Sequence, residues 1–207
     1  MNADPLSRRR AVVVAGHEGD HEVARVALSD VDGTVREAAL GALERCADLT
    51  DCELVTALDD EHPLVRRRAV EIAARRPAVG LLASLDDPDP DVVEVAAWAC
   101  GEQLEGVPDP DVAVIERLAE LAVGSDAPLV REAAAAALGA IGNPRGLPAI
   151  LNACADKPHI RRRAVLALAP FDGPDVDDAI ERALVDRDWQ VRQAAEDLRR
   201  AAGELDT

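Results

Sequence analysis

The chain has 207 residues, of which 48% are apolar, and it carries a formal charge of −17 at pH 7. It contains two Trp, one Phe and no Tyr, so Ala, Val and Leu have to supply nearly all of the core packing. Such small side chains suit thin layers of closely packed helices better than one thick globular core. The strong negative charge repels phosphate backbones and anionic lipid surfaces, which argues against nucleic acid or a membrane as the partner.

The start of the chain and its cysteines indicate a cytoplasmic protein. Residues 1–10 are basic but precede no apolar run of the length that a signal peptide needs, and no stretch approaches the roughly 18 apolar residues of a membrane helix. Four cysteines, Cys46, Cys52, Cys100 and Cys154, lie among Ala, Leu and Val at helical spacing. We expect them to be buried small side chains in a reducing compartment, with a regulatory disulfide between Cys46 and Cys52 left open.

One short motif recurs seven times along the chain. Most copies combine a Pro or Gly, an apolar residue (usually Val), an Arg and, three residues after the Arg, an Ala. The copies occupy residues 5–11, 33–39, 63–69, 90–96, 128–134, 158–164 and 188–195. Successive copies begin 27 to 38 residues apart, a length that holds two short helices and two turns. The sequence therefore predicts a tandem array of helical hairpins.

The motif opens the second helix of each predicted hairpin. In the third copy, Val65, Ala69, Ile72 and Ala73 recur at the spacing of one helix face. Asp-rich and Pro-rich turns precede the motif, and both residue types suit a helix N-terminus. We expect the first helices near residues 21–29, 51–58, 77–85, 110–123, 145–155 and 174–185. The chain is thus predicted to be an N-terminal half-repeat followed by about six helix pairs.

An Asp in the turn, then Val-Arg, then Ala three residues on, at a period of about 30 residues, resembles the HEAT repeat. The pattern is most similar to the short form found in phycobilisome-lyase-like proteins. The resemblance covers essentially the whole chain and implies an all-α, right-handed α-α superhelix in one domain, residues 1–207. It also implies a ladder in which each helix Arg bonds a turn Asp of a neighbouring repeat. The rungs would use Arg8, Arg36, Arg66, Arg131, Arg161 and Arg192, with Asp32, Asp60, Asp87, Asp126, Asp156 and Asp186 as acceptors.

The fourth repeat departs from this pattern. Val93 replaces the ladder Arg, the following step stretches to 38 residues, and Trp98 appears in the second helix. If Val92 and Ala96 face the core, then Glu94 and Trp98 point away from it. The resemblance places second helices on the concave surface, where an exposed Trp is a candidate anchor for a partner. A Trp wedged against a neighbouring helix is the alternative.

Three arginine triplets occupy equivalent places in repeats that are not adjacent: Arg8 to Arg10, Arg66 to Arg68 and Arg161 to Arg163. The first Arg of each belongs to the implied ladder. The two outer residues are expected to face outward, where they either pair within the molecule or recognise acidic side chains or phosphate on a partner.

Three enzyme classes share the resembled architecture and have to be weighed. A DNA glycosylase needs a basic face with several aromatic side chains, which this acidic chain lacks. Metal hydroxylases of this type carry several distributed His-Glu pairs, whereas His17-Glu18 and His21-Glu22 crowd into one turn, which predicts solvated side chains or adventitious metal binding. A bilin lyase stays open, although few aromatics are available to enclose a tetrapyrrole.

We therefore expect a non-enzymatic scaffold that binds another protein on its concave face and uses no cofactor or metal. The expected binding residues are Trp98, Glu94, Glu71, Leu166, Arg67 and Arg162. The expected structural ladder is Arg36, Arg66, Arg131, Arg161 and Arg192. We expect a cytoplasmic monomer or weak dimer. The alternative is a HEAT-like enzyme or accessory subunit, similar to a bilin lyase or a DNA glycosylase.

Overall fold

The computed structural model describes residues 4–205, and within that range it consists of helices joined by turns, with no strand. The expected all-α class is confirmed. The α-helices in this range are α1 (Pro5–Glu18), α2 (His21–Ala27), α3 (Gly33–Arg45), α4 (Asp51–Leu58), α5 (Pro63–Ala73), α6 (Pro90–Leu104), α7 (Val112–Gly124), α8 (Pro128–Ile141), α9 (Leu147–Ala153), α10 (Pro158–Ala167), α11 (Pro174–Leu184) and α12 (Trp189–Leu205).

The helices pair in the order that the motif predicts. Helix α1 is the half-repeat, and α2 with α3, α4 with α5, α7 with α8, α9 with α10 and α11 with α12 pack as hairpins. The second helices also stack on one another: α1 on α3, α3 on α5, α8 on α10 and α10 on α12. Within each of these two series, neighbouring repeats therefore bury their apolar faces against one another, as the units of a helical solenoid do.

The third pair differs from the expectation. The first helix expected at residues 77–85 is a turn followed by a short 3-10 helix, Leu82–Asp86. Pro77 is the first residue of the expected helix, where proline is tolerated, but Gly80 lies in its interior and is unfavourable there. Val79 and Leu85 are nevertheless buried, so the irregular segment fills the core where a helix was expected.

The turns determine where several helices begin. Asp32 caps α3, because its carboxylate accepts the Thr34 amide at 2.9 Å. At α4, Thr50 and Glu53 form a capping box in which each side chain bonds the other residue's backbone amide. This box explains why α4 spans the residues that the sequence predicts.

Glycine allows the second helices to approach one another closely. A Cβ atom at Gly139 of α8 would lie 2.6 Å from the Cα atom of Ala167 on α10. A Cβ atom at Gly101 of α6 would lie 3.0 Å from the Cα atom of Ala137 on α8. These contacts let Ala-rich helix faces fill a core that has almost no aromatic side chains.

Arginine–aspartate pairs connect consecutive turns. Arg161 donates from Nε and Nη2 to the Asp186 carboxylate at 2.8 and 2.7 Å, and from Nη1 to the Asp156 carbonyl oxygen at 2.8 Å. One guanidinium therefore bonds its own turn and the next one. The same bidentate pairing joins Arg8 to Asp30, Arg36 to Asp60, Arg66 to Asp87 and Arg131 to Asp156.

Arg192, the last Arg of this series, makes only part of the pairing. Arg192 donates to the Asp186 carbonyl oxygen at 2.7 Å, and within residues 4–205 it has no carboxylate partner. It thus makes half of the interaction that Arg161 makes.

The arginines hold the ladder carboxylates in their charged form. Hydrogen bonds from Arg161 and Arg131 lower the pKa values of Asp186 and Asp156 below the usual range of Asp. The pKa of Asp30 falls to about 2, chiefly because the Arg8 guanidinium donates to it.

Two of the expected acceptors are wrong. Asp30, and not Asp32, accepts from Arg8, while Asp32 caps its own helix. Asp126 is exposed and bonds no ladder Arg among the described residues. Four of the five acceptors lie five residues before the motif's apolar position, and Ser125 occupies that place ahead of Val130.

One rung of the ladder is replaced at both of its ends. Val93 stands where the other second helices have Arg and is buried. Ser125 stands where the following turn would supply Asp. Because a lone Asp there would have no Arg partner, the two replacements are mutually compatible.

The chain divides after Val92 into two compact units, the second of which begins at Val93. Each unit contains complete hairpins, and the expectation of one domain over residues 1–207 stays a prediction. None of the described helices is both long enough and apolar enough to cross a membrane.

Candidate partner-binding site

Trp98 is a surface side chain. It is 46% exposed, whereas Val93, Ala97 and Cys100 on the same helix are buried. It lines a groove of about 580 Å³ between α6 and α8 in the second unit. We call this the Trp98 groove, defined by Glu94, Trp98 and Glu102 of α6 and by Leu129, Glu132 and Ala136 of α8. The exposure that the helical register predicts for Trp98 is thus what the structure has.

Two carboxylates flank the tryptophan. Glu94, Trp98 and Glu102 follow one another at intervals of four residues, which places them on one face of α6. Glu94 is half-buried and Glu102 is exposed. Neither carboxylate forms an ion pair with any residue that the structure describes.

The opposite wall of the Trp98 groove belongs to α8. Leu129 projects from it and is 55% exposed. Glu132 lies 3.8 Å from the Nε atom of Arg163, which reaches in from α10. The groove therefore has an apolar centre and a rim on which carboxylates outnumber the single guanidinium.

A second groove of about 270 Å³ lies between α10 and α12. Its walls include Arg162, Leu166, Trp189, Gln193 and Asp197, and we call it the Trp189 groove. Leu166 was expected on the floor beside Trp98, but it lines this groove instead. Arg162 also lies here, and it has no ion-pair partner among the described residues.

Two exposed apolar side chains that line the grooves, Leu129 and Trp189, were not predicted from the sequence. Leu129 follows the proline of its motif copy, and Leu6 and Leu64 hold the same place in theirs. All three leucines are exposed. A Pro-Leu pair recurring at an outward position was therefore the available signal for Leu129. Trp189, 64% exposed, is the first residue of α12 and lies in the last motif copy, whereas no other copy has a Trp, Phe or Tyr.

Arg67 and Glu71 lie on α5 in the first unit. The Nε atom of Arg67 is 3.6 Å from the Glu71 carboxylate, and Nη1 of Arg68 donates to the same carboxylate at 2.9 Å. Glu71 is thus engaged by its own helix. That these residues act together with Trp98 stays a prediction.

The outer arginines of the triplets are largely paired within the molecule. Besides Arg67 and Arg68, Arg9 lies 3.3 Å from Glu37, and Arg163 approaches Glu132. Such partly exposed pairs contribute little to stability, but they occupy the guanidinium groups.

The cysteines are all free, and they differ in environment. Burial raises the pKa of the Cys100 thiol to about 12 and that of Cys154 to about 11. Cys46 is half-buried. Cys52 is exposed, so the expectation of burial is wrong for it, because its place on α4 faces solvent.

The His-Glu pairs at the start of the chain form an exposed turn. His17, Glu18, His21 and Glu22 are all exposed at the junction of α1 and α2. Within residues 4–205, no three His, Cys, Asp or Glu side chains come together in a way that could hold a metal ion.

The fold is similar to that of several solved structures. The Escherichia coli protein YibA matches with a TM-score of 0.65 at 18% identity, over 94% of this chain and 74% of that one. A designed armadillo repeat protein in complex with the peptide (KR)4 matches with a TM-score of 0.65 at 17% identity, over 87% of this chain and 98% of that one. The complex of CpcE and CpcF of phycocyanin lyase from Nostoc sp. PCC7120 matches with a TM-score of 0.59 at 24% identity, over 84% of this chain and 74% of that one.

These likenesses establish the fold, which is an α-α superhelix of helical repeats. No curated protein sequence matches this chain significantly. The family model for HEAT repeats matches two overlapping stretches, residues 78–159 and 115–199. Because these stretches together span more than half of the chain and coincide with its observed hairpins, the protein belongs to the HEAT-repeat family.

Proposed function

We propose that this protein is a non-enzymatic scaffold that binds a partner protein on the surface formed by its second helices. The observation that carries the proposal is the Trp98 groove. Large exposed side chains such as Trp98 and Leu129 leave water-accessible apolar area that a partner can bury. Tryptophan is among the residues that most often dominate the binding energy of a protein interface.

The contrast between the ladder arginines and the groups that line the grooves supports the same proposal. The ladder arginines bond turns within the molecule and are therefore engaged in structure. The Trp98 groove and the Trp189 groove instead present apolar and charged groups to solvent on α6, α8, α10 and α12. A surface of this kind is typical of helical-repeat proteins, which use stacked helices to bind extended ligands.

Two of the similar structures hold a protein ligand. The designed armadillo repeat protein is in complex with the peptide (KR)4, and CpcE is in complex with CpcF. Both share the fold of this chain, so the fold accommodates such partners. We further propose that the protein is cytoplasmic, since four free cysteines are typical of a reducing compartment, and that it is a monomer or weak dimer.

The experiment that tests the proposal is a quantitative pull-down from the native cell extract. The wild type is compared with Trp98→Ala and with Val185→Ala, a control at an exposed apolar residue outside both grooves. We expect a protein that the wild type and the control retain equally and that Trp98→Ala loses, with a cost of about 2 kcal/mol for an interface anchor.

Two outcomes of the same experiment would contradict the proposal. If Trp98→Ala retained the partner as well as the wild type does, the partner would bind at a surface other than the Trp98 groove. A tetrapyrrole or nucleic acid that co-purifies with all three proteins would favour the lyase-like or glycosylase-like alternative. Circular dichroism of each variant shows whether a loss of binding has to be ascribed to unfolding.

A further inference from the structure

The charges around Trp98 specify what kind of side chain the groove can accept. Glu94 and Glu102 stand one helical turn to either side of Trp98, and neither has a cationic partner among the described residues. Across the groove, Glu132 already has Arg163 at 3.8 Å. The groove thus offers an aromatic face between two carboxylates that lack a counter-ion.

Resting on the proposed function, we propose that the Trp98 groove binds an arginine side chain from an extended segment of the partner protein. The guanidinium stacks on the Trp98 indole, and Glu94 and Glu102 accept its hydrogen bonds. The whole chain carries a formal charge of −17, so a basic segment is attracted to it over a longer range as well.

Other side chains fit the groove less well. An apolar side chain would cover Trp98 and Leu129, but it would take water from Glu94 and Glu102 without replacing their hydrogen bonds. An acidic side chain would meet like charges. Lysine would supply the charge but not the planar fork that both stacks on an aromatic ring and bonds carboxylates. An arginine side chain can stack on Trp98 and also donate hydrogen bonds to Glu94 and Glu102.

Alanine residues on α8 make room for such a long side chain. Ala133, Ala136, Ala137 and Ala140 line the groove opposite α6, and its volume of about 580 Å³ exceeds that of a single side chain. Leu129 is placed to contact the methylene stem of the arginine while its head reaches the carboxylates.

The test uses the fluorescence of Trp98. The chain has two Trp and no Tyr, so the variant Trp189→Phe leaves Trp98 as its only strong fluorophore. The probe is a capped peptide of about eight residues alternating Arg and Gly, which in an extended conformation of roughly 3.3 Å per residue can cross neighbouring helices. Matched peptides replace every Arg by Lys or by citrulline, which has the shape of arginine without its charge.

We expect the arginine peptide to change the Trp98 emission saturably. The citrulline peptide should bind at least about tenfold more weakly, since it lacks the charge that drives cation–π and carboxylate pairing. The lysine peptide should bind with intermediate affinity. Calorimetry on the protein with both tryptophans checks whether the arginine, lysine and citrulline peptides have the same order of affinity without the Trp189→Phe change.

Variants of the protein locate the interaction. The double variant Glu94→Gln, Glu102→Gln should weaken the arginine peptide by about tenfold or more, because each carboxylate loses a charge-assisted bond. Glu196→Gln, which removes a charge from an exposed residue of α12 outside both grooves, should change the affinity by less than about twofold. Glu94 is half-buried, Glu102 and Glu196 are exposed, and none of the three forms an ion pair with a described residue, so we expect these variants to fold; circular dichroism checks this.

Three results would overturn the proposal: equal binding of the arginine and citrulline peptides, an equal effect of Glu196→Gln and the double variant, or spermine binding as tightly as the peptide. The last two would reduce the effect to attraction by net charge. If the pull-down still loses its partner on Trp98→Ala, the scaffold function stands and only the arginine assignment falls. If that partner is retained, both fall.

Discussion

Each ladder aspartate accepts hydrogen bonds both from an Arg and from a backbone amide of its own turn, and its position in the turn determines both interactions. The carboxylate of Asp186 accepts from Arg161, and its Oδ1 also accepts the Asp188 amide at 2.7 Å. Asp30 does the same for Arg8 and for the Asp32 amide at 2.9 Å. The aspartate five residues before the motif's apolar position therefore bonds the neighbouring repeat, and the one three residues before it caps its own helix.

This rule explains what the sequence could and could not predict at the residue scale. The ladder arginines are recognisable because each precedes Ala by three residues in the motif. The sequence does not show whether Asp30 or Asp32 bonds Arg8. Both aspartates lie in one short turn, and only the backbone path decides which carboxylate reaches Arg8. The helical register of α6 predicted an exposed Trp98, which the structure has, but the sequence left open a Trp wedged against a neighbouring helix.

The rungs predict a loss of stability in acid. The pKa of Asp186 is lowered in the folded protein, chiefly by the hydrogen bond from Arg161. The unfolded chain therefore binds more protons as the pH falls below about 4, the ordinary pKa of Asp, and the rung's contribution is present above that pH and lost below it.

Asp186→Asn should reveal this contribution. We expect the variant to be less stable at pH 7 by about 2 kcal/mol, the range for a hydrogen bond to a charged group. Its melting temperature should fall less steeply than that of the wild type below about pH 4. Asp178→Asn, at an exposed residue of α11, serves as the control. Parallel melting curves for Asp186→Asn and the wild type would show that the rung does not contribute.

At the scale of elements, local signals determined which helices were predictable. The bounds of α4 agree with the sequence because the Thr50–Glu53 capping box marks its start. The helix expected over residues 77–85 was wrong, and Gly80 in the interior of that range disfavours a helix. Leu85 is buried and fills the core although its segment is not an α-helix. No local sequence pattern predicts that an irregular segment will do this.

Close packing of the second helices yields a test at this scale. Gly139→Ala places a Cβ atom 2.6 Å from the Ala167 backbone, so α8 and α10 have to separate. We expect a loss of about 1 to 3 kcal/mol in urea unfolding, as for other overpacked cores.

Gly124→Ala is the matched control. Apart from its chain neighbours and the backbone of its own helix, no described atom lies within 4 Å of a Cβ atom there, and the residue ends α7. The change should be neutral or stabilising by up to about 1 kcal/mol, because Ala favours a helix over Gly. Similar losses for the two variants would mean that the close approach of α8 and α10 is not a constraint.

For the whole molecule, charge is the dominant property. A formal charge of −17 opposes the compact state through self-repulsion, while the rungs lie at partly buried positions that salt screens less. We expect the melting temperature to rise between roughly 0.02 M and 0.5 M sodium chloride, as the Debye length shortens. A fall over that range would show that ion pairs outweigh repulsion.

The family was predictable from the sequence, but the binding face was predictable only in part. Seven motif copies establish the repeat, whereas the grooves depend on which residues of different repeats come together. Trp98 and Glu94 share a helix, so helical register connects them. Leu166 lines the Trp189 groove, because its equivalent motif position does not reveal which neighbour it contacts, and its role in binding a partner stays a prediction.

Site-specific photo-crosslinking shows directly whether a partner protein occupies the Trp98 groove. Benzoylphenylalanine replaces Ala140, an exposed residue that lines the groove, in one sample and the exposed Val185 in another, so that Trp98 stays in place. The crosslinked peptides are sequenced by mass spectrometry. We predict one partner protein crosslinked from position 140 alone, through a segment that contains arginine. Crosslinks to the same partner from position 185 and none from position 140 would show that the partner binds elsewhere.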